Sequence, residues 1–423
     1  MNEGPPSSVS ITGMGVICSV GHSVGQFSHA LRSGRCGITH LPDAQGQSVR
    51  VAGLIQDFSW DQSLERLRDV APHLASRARK LSANMTESTR LSAGAVMEAF
   101  LDGRLGERTL QPSQIGLIVA GCNLSQDYVA RNWARFAAKG RPEPRYALSY
   151  SDSHQVGCLS EIFSIGGPGM TIGAAAASGN AALFQAFHWV RTGVVQTCLV
   201  VGACTEFSAL ELEGFAVLGA AACGPRAINP AEACRPFDKG HEGFVWGQGS
   251  ACVVLEAARE RAEDSRFASL AGASLLLDAN HLPEPSVDGE IRAMRTALAG
   301  AGLAPERIGY INAHGSSAPL GDRTEAAAIN AVFQETLDQV RINSTKSLTG
   351  HCFSASGVIE LIACVLQLNA GFLHPNRNLE CPIDPRLRFA GKTAEPLNVN
   401  FALSNGFGFG GFNSSIVIRK AAP

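Results

Sequence analysis

The sequence predicts an α/β fold in which strands and helices alternate in stacked layers. Short runs rich in β-branched residues alternate with alanine-rich stretches that are typical of helices. The strand-like runs are VSITGMGV, QIGLIVAG, CLVVGAC, SACVVLEA, RIGYINAHG and NSSIVIRK. The first of them has a loose echo in FASLAGASLLLDA, which begins near Phe267. That echo indicates a second copy of the same α/β unit later in the chain.

The chain length fits two or three domain-sized units. There are 423 residues, and ~150 residues per domain is the usual prior. Between the two echoing strands lies EAARERAEDSRF, the most charged stretch in the middle of the chain. We interpret this stretch as a surface helix and place a boundary near residue 263. The sequence therefore predicts an N-terminal half over 1–263 and a C-terminal half over 264–423.

Composition favours a large buried core and argues against nucleic acid as a partner. Hydrophobic residues make up 45% of the chain, charged residues 17%, and glycine, at 45 of 423, is above its usual share. The chain has 35 Lys and Arg against 37 Asp and Glu, a formal net charge of −2. It therefore has no overall basic field that would hold a nucleic acid or an anionic membrane.

The first residues and the cysteines favour a reducing cytoplasm. The opening MNEGPPSS carries an acidic residue and two prolines where a signal peptide has a basic start and an apolar core. We expect no apolar run of about 18 residues and hence no membrane span. The twelve cysteines form no CxxC pair, so we expect neither a zinc nor a redox site and interpret most cysteines as small buried hydrophobes.

A GxSxG motif at Gly21–Gly25 has the spelling of a serine-hydrolase nucleophile elbow, with Ser23 at its centre. That elbow follows a central strand and needs an oxyanion-hole loop from an earlier strand. Only twenty residues precede Gly21, which is too few for those strands. We therefore do not expect Ser23 to act as a nucleophile.

A GxGxxG motif at Gly406–Gly411 has the spelling of a dinucleotide-binding loop. Such a loop needs a helix directly after it and an acidic residue about 20 residues later. Only twelve residues follow Gly411, and they begin with the strand-like FNSSIVIRK. We interpret the glycines as a tight loop before a terminal strand, so no nicotinamide cofactor is expected.

Four further segments carry a specific resemblance when they are taken together. They are TIGAAAASGNAALFQAF, INAHGSSAPLGD, NSTKSLTGHCFSASGVIE and SNGFGFGGFN. In order and spacing they resemble the β-ketoacyl-acyl-carrier-protein synthases of the thiolase superfamily, from Ile11 through Asn413. The resemblance implies a thiolase-type five-layered αβαβα sandwich of two duplicated halves. It also implies a symmetric homodimer with CLVVGAC as a candidate interface strand, an acyl carrier protein as partner, no metal, and no cofactor besides the carrier's phosphopantetheine.

The resemblance implies five site residues in the later segments. His314, in the NAHG turn, and His351, in TKSLTGH, are the implied catalytic imidazoles. Two imidazole N–H donors aimed at one oxygen would stabilise the enolate left when a malonyl thioester loses CO₂. Lys346 and Glu360 are implied to form a buried pair that fixes this geometry, because one buried charge alone is costly. Phe409 matches the gating aromatic, and its backbone N–H is implied to serve an oxyanion hole.

The nucleophile position departs from the family pattern. Elongating members have a cysteine in the turn that opens a buried helix, where the helix N-terminus makes a thiolate available. Here the position is Ala176, and a methyl group cannot attack a thioester. Cys352 and Cys204 do not lie on that turn, so we interpret both as packing residues. Only the backbone N–H of Ala176 is left to assist catalysis.

Without a nucleophile, the predicted activity is the decarboxylating half of the cycle, from a malonyl-carrier to an acetyl-carrier thioester. The segments GAAAASGN, GFVWGQGSA and FLHPNRNLECPID look similar to stand-alone decarboxylating ketosynthases that accompany polyketide β-branching. Gln248 in the second segment stands where elongating enzymes usually have Glu. Two alternatives stay open: an elongating synthase whose cysteine has been replaced by alanine, and a non-catalytic partner that resembles a chain-length factor.

Further positions implied by the resemblance concern the substrate arm and the carrier. Ser316 and Ala318 stand where elongating relatives have threonines that bind phosphopantetheine, so one of those hydrogen bonds is expected to be missing. Phe412 replaces a smaller residue beside the glycine loop, and its ring could close part of the acyl tunnel. The predicted docking site for an acidic carrier protein consists of Arg77, Arg79 and Lys80.

Overall fold

The computed structural model describes residues 9–42, 46–257 and 267–421. The predicted boundary near residue 263 lies outside these ranges, as does most of the charged stretch around it. The described strands are β1 Val9–Cys18, β2 Thr39–His40, β3 Val51–Ala52, β4 Ile115–Ala120, β5 Gly169–Ile172, β6 Thr197–Gly202, β7 Gly249–Ala257, β8 Ala268–Leu277, β9 Tyr310–Asn312, β10 Arg341–Asn343, β11 Phe372–Leu373, β12 Arg388–Phe389, β13 Glu395–Pro396, β14 Phe401–Gly408 and β15 Phe412–Lys420. The described helices are α1 Val24–Ser33, α2 Trp60–Val70, α3 Pro72–Leu81, α4 Glu87–Asp102, α5 Gln126–Lys139, α6 Tyr146–Ser149, α7 Ser153–Phe163, α8 Ser178–Arg191, α9 Ala209–Val217, α10 Pro230–Ala233, α11 Val287–Gly300, α12 Pro319–Phe333, α13 Lys346–Thr349 and α14 Ser356–Ala370.

The main sheet repeats one strand pattern on either side of its centre. Its order is β12-β10-β9-β14-β15-β8-β1-β7-β6-β4-β5. From the central β1 and β8 outward, each half has two antiparallel pairings followed by parallel ones, two in the half with β1 and three in the half with β8. β1 and β8, which echo each other in sequence, hold equivalent places, and β1 pairs with β8 through their first residues. The α/β fold of two similar halves, predicted from the strand runs and the resemblance, is confirmed.

Helices fill three layers around the two halves of this sheet. α8 and α14 contact strands of both halves and form the middle layer, whereas α4 packs on β1 and β7 and α11 on β8 and β15 from outside. Glycines allow the outer helices this close approach. A Cβ on Gly15 of β1 would overlap the carbonyl oxygen of Ala95, and one on Gly272 of β8 would overlap that of Ala297.

The middle helix α14 corrects one expectation from the sequence. The stretch Phe353–Ala370 is long and apolar enough to cross a membrane, although we expected no such run. However, 78% of it is buried inside the protein, so it serves here as the core helix of the middle layer. A helix between two sheet halves needs apolar residues on all its faces, and this explains its composition.

The strand predicted at the dimer interface lies elsewhere. CLVVGAC forms β6, which pairs with β4 on one side and with β7 on the other and is buried throughout. That expectation is wrong, because a strand with two neighbours has no free edge to offer. Of the described strands in this half of the sheet, β5 is the outermost.

The glycine run has the structural role predicted from the sequence, and Ser23 has a role in helix capping that the sequence analysis did not predict. Ser23 is the N-cap of α1, and its hydroxyl accepts a hydrogen bond from the Gln26 N–H at 3.2 Å. The glycine-rich run forms the end of β14 and the turn into β15. Ser23 therefore stabilises a helix start, and the glycine run joins two antiparallel strands.

Candidate active site

One cavity brings most of the predicted site residues together. Its volume is about 640 Å³, which is within the usual size range of a small-molecule site. Its walls come from the turn before α8, the loops after β9 and α13, and the turn after β14. The predicted site residues that line it are Ala176, His314, Ser316, Ala318, His351 and Phe409.

The turn that carries Ala176 is shaped for a group at the start of a buried helix. Ala175 has a left-handed φ of 47°, a strained conformation for a residue with a side chain. The Ser178 hydroxyl ties the turn together, since it accepts from the Ala174 N–H at 2.8 Å and donates to the Ala175 carbonyl at 2.6 Å. Ala176 itself is half-buried, and its methyl stands two residues before α8 begins.

The glycine loop passes directly beside this turn. A Cβ on Gly408 would lie 2.6 Å from the Ala174 carbonyl oxygen and 3.2 Å from the Ala176 nitrogen. Only glycine permits this approach, because any side chain would push the two backbones apart. Phe409 follows at the mouth of the cavity with 41% of its surface exposed, a location compatible with a gate.

The two candidate imidazoles lie next to each other in the cavity wall, with their rings edge to face. The ring centroids of His314 and His351 are 5.4 Å apart, with an interplanar angle of 77°. The Phe353 N–H donates to His351 Nδ1 at 3.0 Å, and the Phe407 N–H donates to His314 Nδ1 at 3.4 Å. A ring nitrogen that accepts a hydrogen bond carries no proton. Each neutral ring therefore has its proton on Nε2, as a donor for a ligand.

Burial and a nearby cation keep both rings uncharged. The pKa of His314 is lowered well below 6.5 by desolvation, then by the charge of Lys346 and by His351. Desolvation and Lys346 also lower the pKa of His351 well below 6.5. Near neutral pH the two rings are therefore neutral hydrogen-bond donors, not imidazolium ions.

Lys346 and Glu360 form the predicted buried pair. Their charged atoms, Lys346 Nζ and Glu360 Oε1, lie 2.5 Å apart, with side chains only 1% and 3% exposed. The same ammonium donates to the His314 carbonyl at 2.6 Å. Burial raises the pKa of Glu360 to about 7, against the lowering effect of the ammonium. The pair thus fixes the backbone of one imidazole and sets the electrostatic environment of both.

Sequence reasoning missed Glu325, which holds the NAHG turn from behind. Its carboxylate accepts the His314 N–H at 2.8 Å and the Gly315 N–H at 2.7 Å, and Asn405 Nδ2 donates to it at 3.0 Å. Burial raises its pKa to about 7, although these three donors favour the ionised form. The signal in the sequence that could have indicated this buried carboxylate is an acidic residue at the start of the otherwise mostly apolar stretch EAAAINAVF of α12.

Sequence reasoning also missed the aromatic side of the cavity. Phe207, Phe215, Phe244 and Phe353 line it and contact one another edge-on or tilted. The Phe353 ring stacks on His351 with centroids 4.5 Å apart. These phenylalanines come from separate segments, so no local motif could have grouped them. They give one side of the cavity an apolar surface suited to an acyl group.

Two family models match the two halves of the chain. The model "Beta-ketoacyl synthase, N-terminal domain" matches residues 7–261, and "Beta-ketoacyl synthase, C-terminal domain" matches residues 267–380. The chain belongs to the β-ketoacyl synthase family. The resemblance drawn from the four motif segments is thereby confirmed.

Individual relatives span nearly the whole of this synthase. It is 34% identical to the polyketide biosynthesis malonyl-ACP decarboxylase PksF of Bacillus subtilis (strain 168), covering 97% of this chain and 96% of the relative. It is 31% identical to 3-oxoacyl-[acyl-carrier-protein] synthase 2 of Vibrio harveyi over 98% of this chain and 99% of the relative. Among solved structures, the ishigamide ketosynthase/chain length factor superposes with a TM-score of 0.86 at 26% identity. The match covers 99% of this chain and 100% of that structure's chain.

The remaining candidate residues of the synthase lie outside the cavity wall. Phe412 is not among the described residues that line the cavity; its ring packs against the small residues Ala174, Ala177 and Ala181. The idea that it closes space in an acyl tunnel therefore stays a prediction. Lys346 and Glu360 act from behind the cavity, through the His314 backbone and through their charge.

The cysteines of the synthase offer no evident replacement for the missing thiolate. Cys204 and Cys352 are buried, and burial raises the pKa of both thiols. Cys122, which sequence reasoning overlooked, is exposed as a residue and lines the cavity. The partial desolvation of its thiol and the charge of Asp152 nevertheless raise its pKa as well. Across residues 9–42, 46–257 and 267–421, no cluster of three or more His, Cys, Asp or Glu could hold a metal ion.

The buried ion pair generates a stability prediction. Lys346→Met leaves Glu360 without its cation, so we expect the free energy of unfolding to fall by about 3–5 kcal/mol. The double variant Lys346→Met/Glu360→Met should recover part of this loss, because it removes both buried charges. Urea unfolding checks both, with Lys392→Met at an exposed site as the control. Additive losses in the double variant would contradict the coupling.

Proposed function

We propose that this synthase decarboxylates a malonyl group carried on the phosphopantetheine arm of an acyl carrier protein and leaves an acetyl group. The proposal depends on one observation: two neutral imidazoles, His314 and His351, share a cavity with the methyl of Ala176. Donors of this kind suit an oxygen that gains negative charge in the transition state. The methyl excludes the acyl transfer that normally precedes condensation.

The first step is binding of the malonyl thioester with its carbonyl oxygen toward the two rings. The buried Ser316 hydroxyl lines the cavity and is available to the phosphopantetheine arm, whereas Ala318 offers no hydrogen bond. The backbone N–H groups of Ala176 and Phe409 are our candidates for additional donors. Phe409 at the mouth serves as the gate that excludes water from the bound thioester.

Loss of CO₂ is the chemical step. The bond between the methylene carbon and the carboxylate carbon breaks, CO₂ leaves, and the electron pair becomes the enolate of the remaining two-carbon thioester. Both Nε2–H groups then hydrogen-bond the enolate oxygen in a site of low dielectric. Burial and, to a smaller extent, the charge of Lys346 support this step by lowering the pKa of both rings, since an imidazolium would be costly to bury there.

Two alternatives concern the same cavity. An elongating synthase with alanine in place of its cysteine is supported by the relatives named 3-oxoacyl-[acyl-carrier-protein] synthase. A non-catalytic partner is supported by the structural likeness to the ketosynthase/chain length factor. We favour decarboxylation because the complete imidazole arrangement has no use in a non-catalytic partner, and because a relative similar over its full length is named a malonyl-ACP decarboxylase.

The name of that relative also supports a biological setting. It places the relative in polyketide biosynthesis, and we propose that this synthase supplies acetyl-carrier protein for β-branching of a polyketide. We further propose that it works in the cytoplasm, where its free cysteines remain reduced.

For the carrier protein we propose docking at the basic end of α3. Arg79 and Lys80 are exposed, and Arg79 lies 3.9 Å from Asp61 in a weak surface pair. Arg77 is also exposed, but its guanidinium hydrogen-bonds the Ser164 hydroxyl and the Glu161 carbonyl, which anchors it to the end of α7. Arg79 and Lys80 therefore provide the charge that is free to attract an acidic partner.

For the oligomer we propose a homodimer formed through β5. This strand pairs with β4 on one side, and Met170 on it is 37% exposed. An outer strand with an apolar exposed side chain is a template for pairing with a second copy. Exposed Trp133 and Phe136 on α5 add apolar surface to the same half of the molecule.

The function prediction is tested with malonyl-loaded carrier protein and intact-mass measurement of the carrier. We expect conversion to acetyl-carrier, and we expect His314→Ala or His351→Ala to lower kcat by roughly 10²-fold or more, because each removes one enolate donor. His40→Ala, at an exposed histidine, is the control. If the malonyl group stays intact, the non-catalytic partner is the better explanation.

A second arm of that experiment separates decarboxylation from latent elongation. Ala176→Cys is supplied with an acyl donor as well as malonyl-carrier. We expect negligible condensation, because the proposed enzyme does not accept an acyl chain. Efficient formation of a β-ketoacyl-carrier would instead favour the elongating synthase with its cysteine replaced.

Charge reversal tests the docking surface. For Arg79→Glu/Lys80→Glu we expect KM for the carrier protein to rise about tenfold at low salt while kcat stays unchanged, because encounter is weakened but chemistry is not. The difference from the unmodified protein should shrink at high salt. Lys392→Glu is the matched control at another exposed lysine. An unchanged KM would move the docking site elsewhere.

A charge on β5 tests the dimer. In a symmetric pair Met170→Asp brings two like charges together, so we expect sedimentation analysis to show a shift from dimer to monomer. Val217→Asp, at a side chain 88% exposed on α9, should leave the oligomer unchanged. A monomeric unmodified protein would refute the proposal directly.

A further inference from the structure

Glu290 is a buried acid in the cavity wall. It lies in the first turns of α11, is 1% exposed and lines the same cavity as the two imidazoles. Its Oε2 has no hydrogen-bond partner among the described residues. Asp278, which follows β8, lines the cavity too, has a side chain 4% exposed, and also has an unpartnered oxygen, Oδ2. A buried polar atom without a partner is costly and suggests a role beyond folding.

The surroundings of Glu290 favour its protonated form. Burial raises its pKa well above 4.5, and repulsion from Glu325, Asp278 and Asp322 raises it further. On α11 itself, the guanidinium of Arg292 lies 3.5 Å from Asp278. Two of the other elements packed against α11, β8 and β14, contain no charged residue. The charged residues of β15 are Arg419 and Lys420, which stand at its far end. On α12, Arg323 is exposed at the mouth of the cavity.

Glu290 is connected to the imidazole site through few contacts. Met294, one helical turn further along α11, has its sulfur 3.7 Å from Asn405 Nδ2. The same amide nitrogen donates to Glu325, whose carboxylate holds the His314 backbone. These contacts link α11 to the residues behind His314, and Glu290 lines the same cavity as the two imidazoles.

The proposed reaction needs an acid that the two imidazoles do not provide. In a condensing synthase the enolate carbon attacks an acyl group, but here Ala176 holds none, so the carbon must take up a proton. The Nε2–H groups are engaged at the enolate oxygen, and both Nδ1 atoms already accept backbone N–H groups. Of the other acids that line the cavity, Glu211 caps α9 through Ser208, Glu284 is exposed, and Asp278 is paired with Arg292 at 3.5 Å.

We propose that Glu290 supplies, through water in the cavity, the proton that converts the enolate into the acetyl group. The inference rests on the proposed function. The O–H bond of Glu290 breaks, a C–H bond forms at the methylene carbon, and the enolate electron pair returns to the carbonyl of the thioester. The carboxylate that remains is reprotonated from solvent, so that malonyl thioester plus one proton gives acetyl thioester plus CO₂.

The test compares Glu290→Gln with Glu284→Gln, the same change at an exposed acid of the cavity rim. We expect Glu290→Gln to lower the rate of acetyl-carrier formation on the order of 10²-fold, the usual share of a general acid, and Glu284→Gln to leave it within about twofold. In the unmodified enzyme the rate should fall as rising pH deprotonates Glu290. That alkaline limb should be absent from the residual activity of Glu290→Gln.

Isotope exchange provides a readout that a purely structural role would not move. An enolate that waits for its proton can recapture CO₂, so ¹³C-labelled CO₂ should enter the malonyl-carrier pool faster, relative to acetyl formation, with Glu290→Gln than with the unmodified enzyme. Thermal unfolding verifies that the variant folds. If it does not, Glu290→Asp takes its place, and we expect a reduced rate with the alkaline limb retained.

The outcomes separate the two proposals. If the unmodified chain forms no acetyl-carrier, the proposed function itself fails. If it forms acetyl-carrier and Glu290→Gln keeps the same rate, pH profile and exchange ratio, only the role of Glu290 is overturned. If Glu290→Asp has to replace Glu290→Gln in the test, an unchanged rate or the loss of the alkaline limb would equally overturn the role of Glu290.

Discussion

The candidate site depends on one buried cation. The Lys346 ammonium is almost fully enclosed, where a lone charge would be untenable, and the Glu360 carboxylate compensates it. The same ammonium holds the His314 carbonyl and lowers the pKa of both imidazoles. This charge therefore links the core helix α14 to the loop after β9 and, together with the larger effect of burial, keeps the donors in the cavity neutral.

The duplicated sheet explains why these groups meet. α8 and α14 lie between the two sheet halves, so the turn before α8 and the loops around α14 open at the same end of the middle layer. Ala176 comes from one half, whereas His314 and His351 come from the other. Close packing, which the glycines of β1, β8 and the loop after β14 permit, fixes the distances between them.

In the proposed reaction, the methyl group of Ala176 changes what the rest of the cavity has to do. A condensing site must bring two carbon centres together and leaves no enolate to be protonated. A decarboxylating site has to stabilise the enolate and then deliver a proton to carbon. In our proposal the neutral imidazoles meet the first demand. Glu290, whose pKa is raised and whose Oε2 has no partner among the described residues, is proposed to meet the second.

The α/β class, the strand runs and the family could be predicted from the sequence, as could the motif positions of His314, His351 and Ala176, which the structure brings to one cavity. These predictions were possible because a turn and its flanking strand or helix are encoded by neighbouring residues. The open edge of β5, the packing of Phe412 and the places of Glu325 and Glu290 were found only in the folded structure. These depend on pairing, burial and desolvation between segments far apart in the chain, which local patterns do not encode.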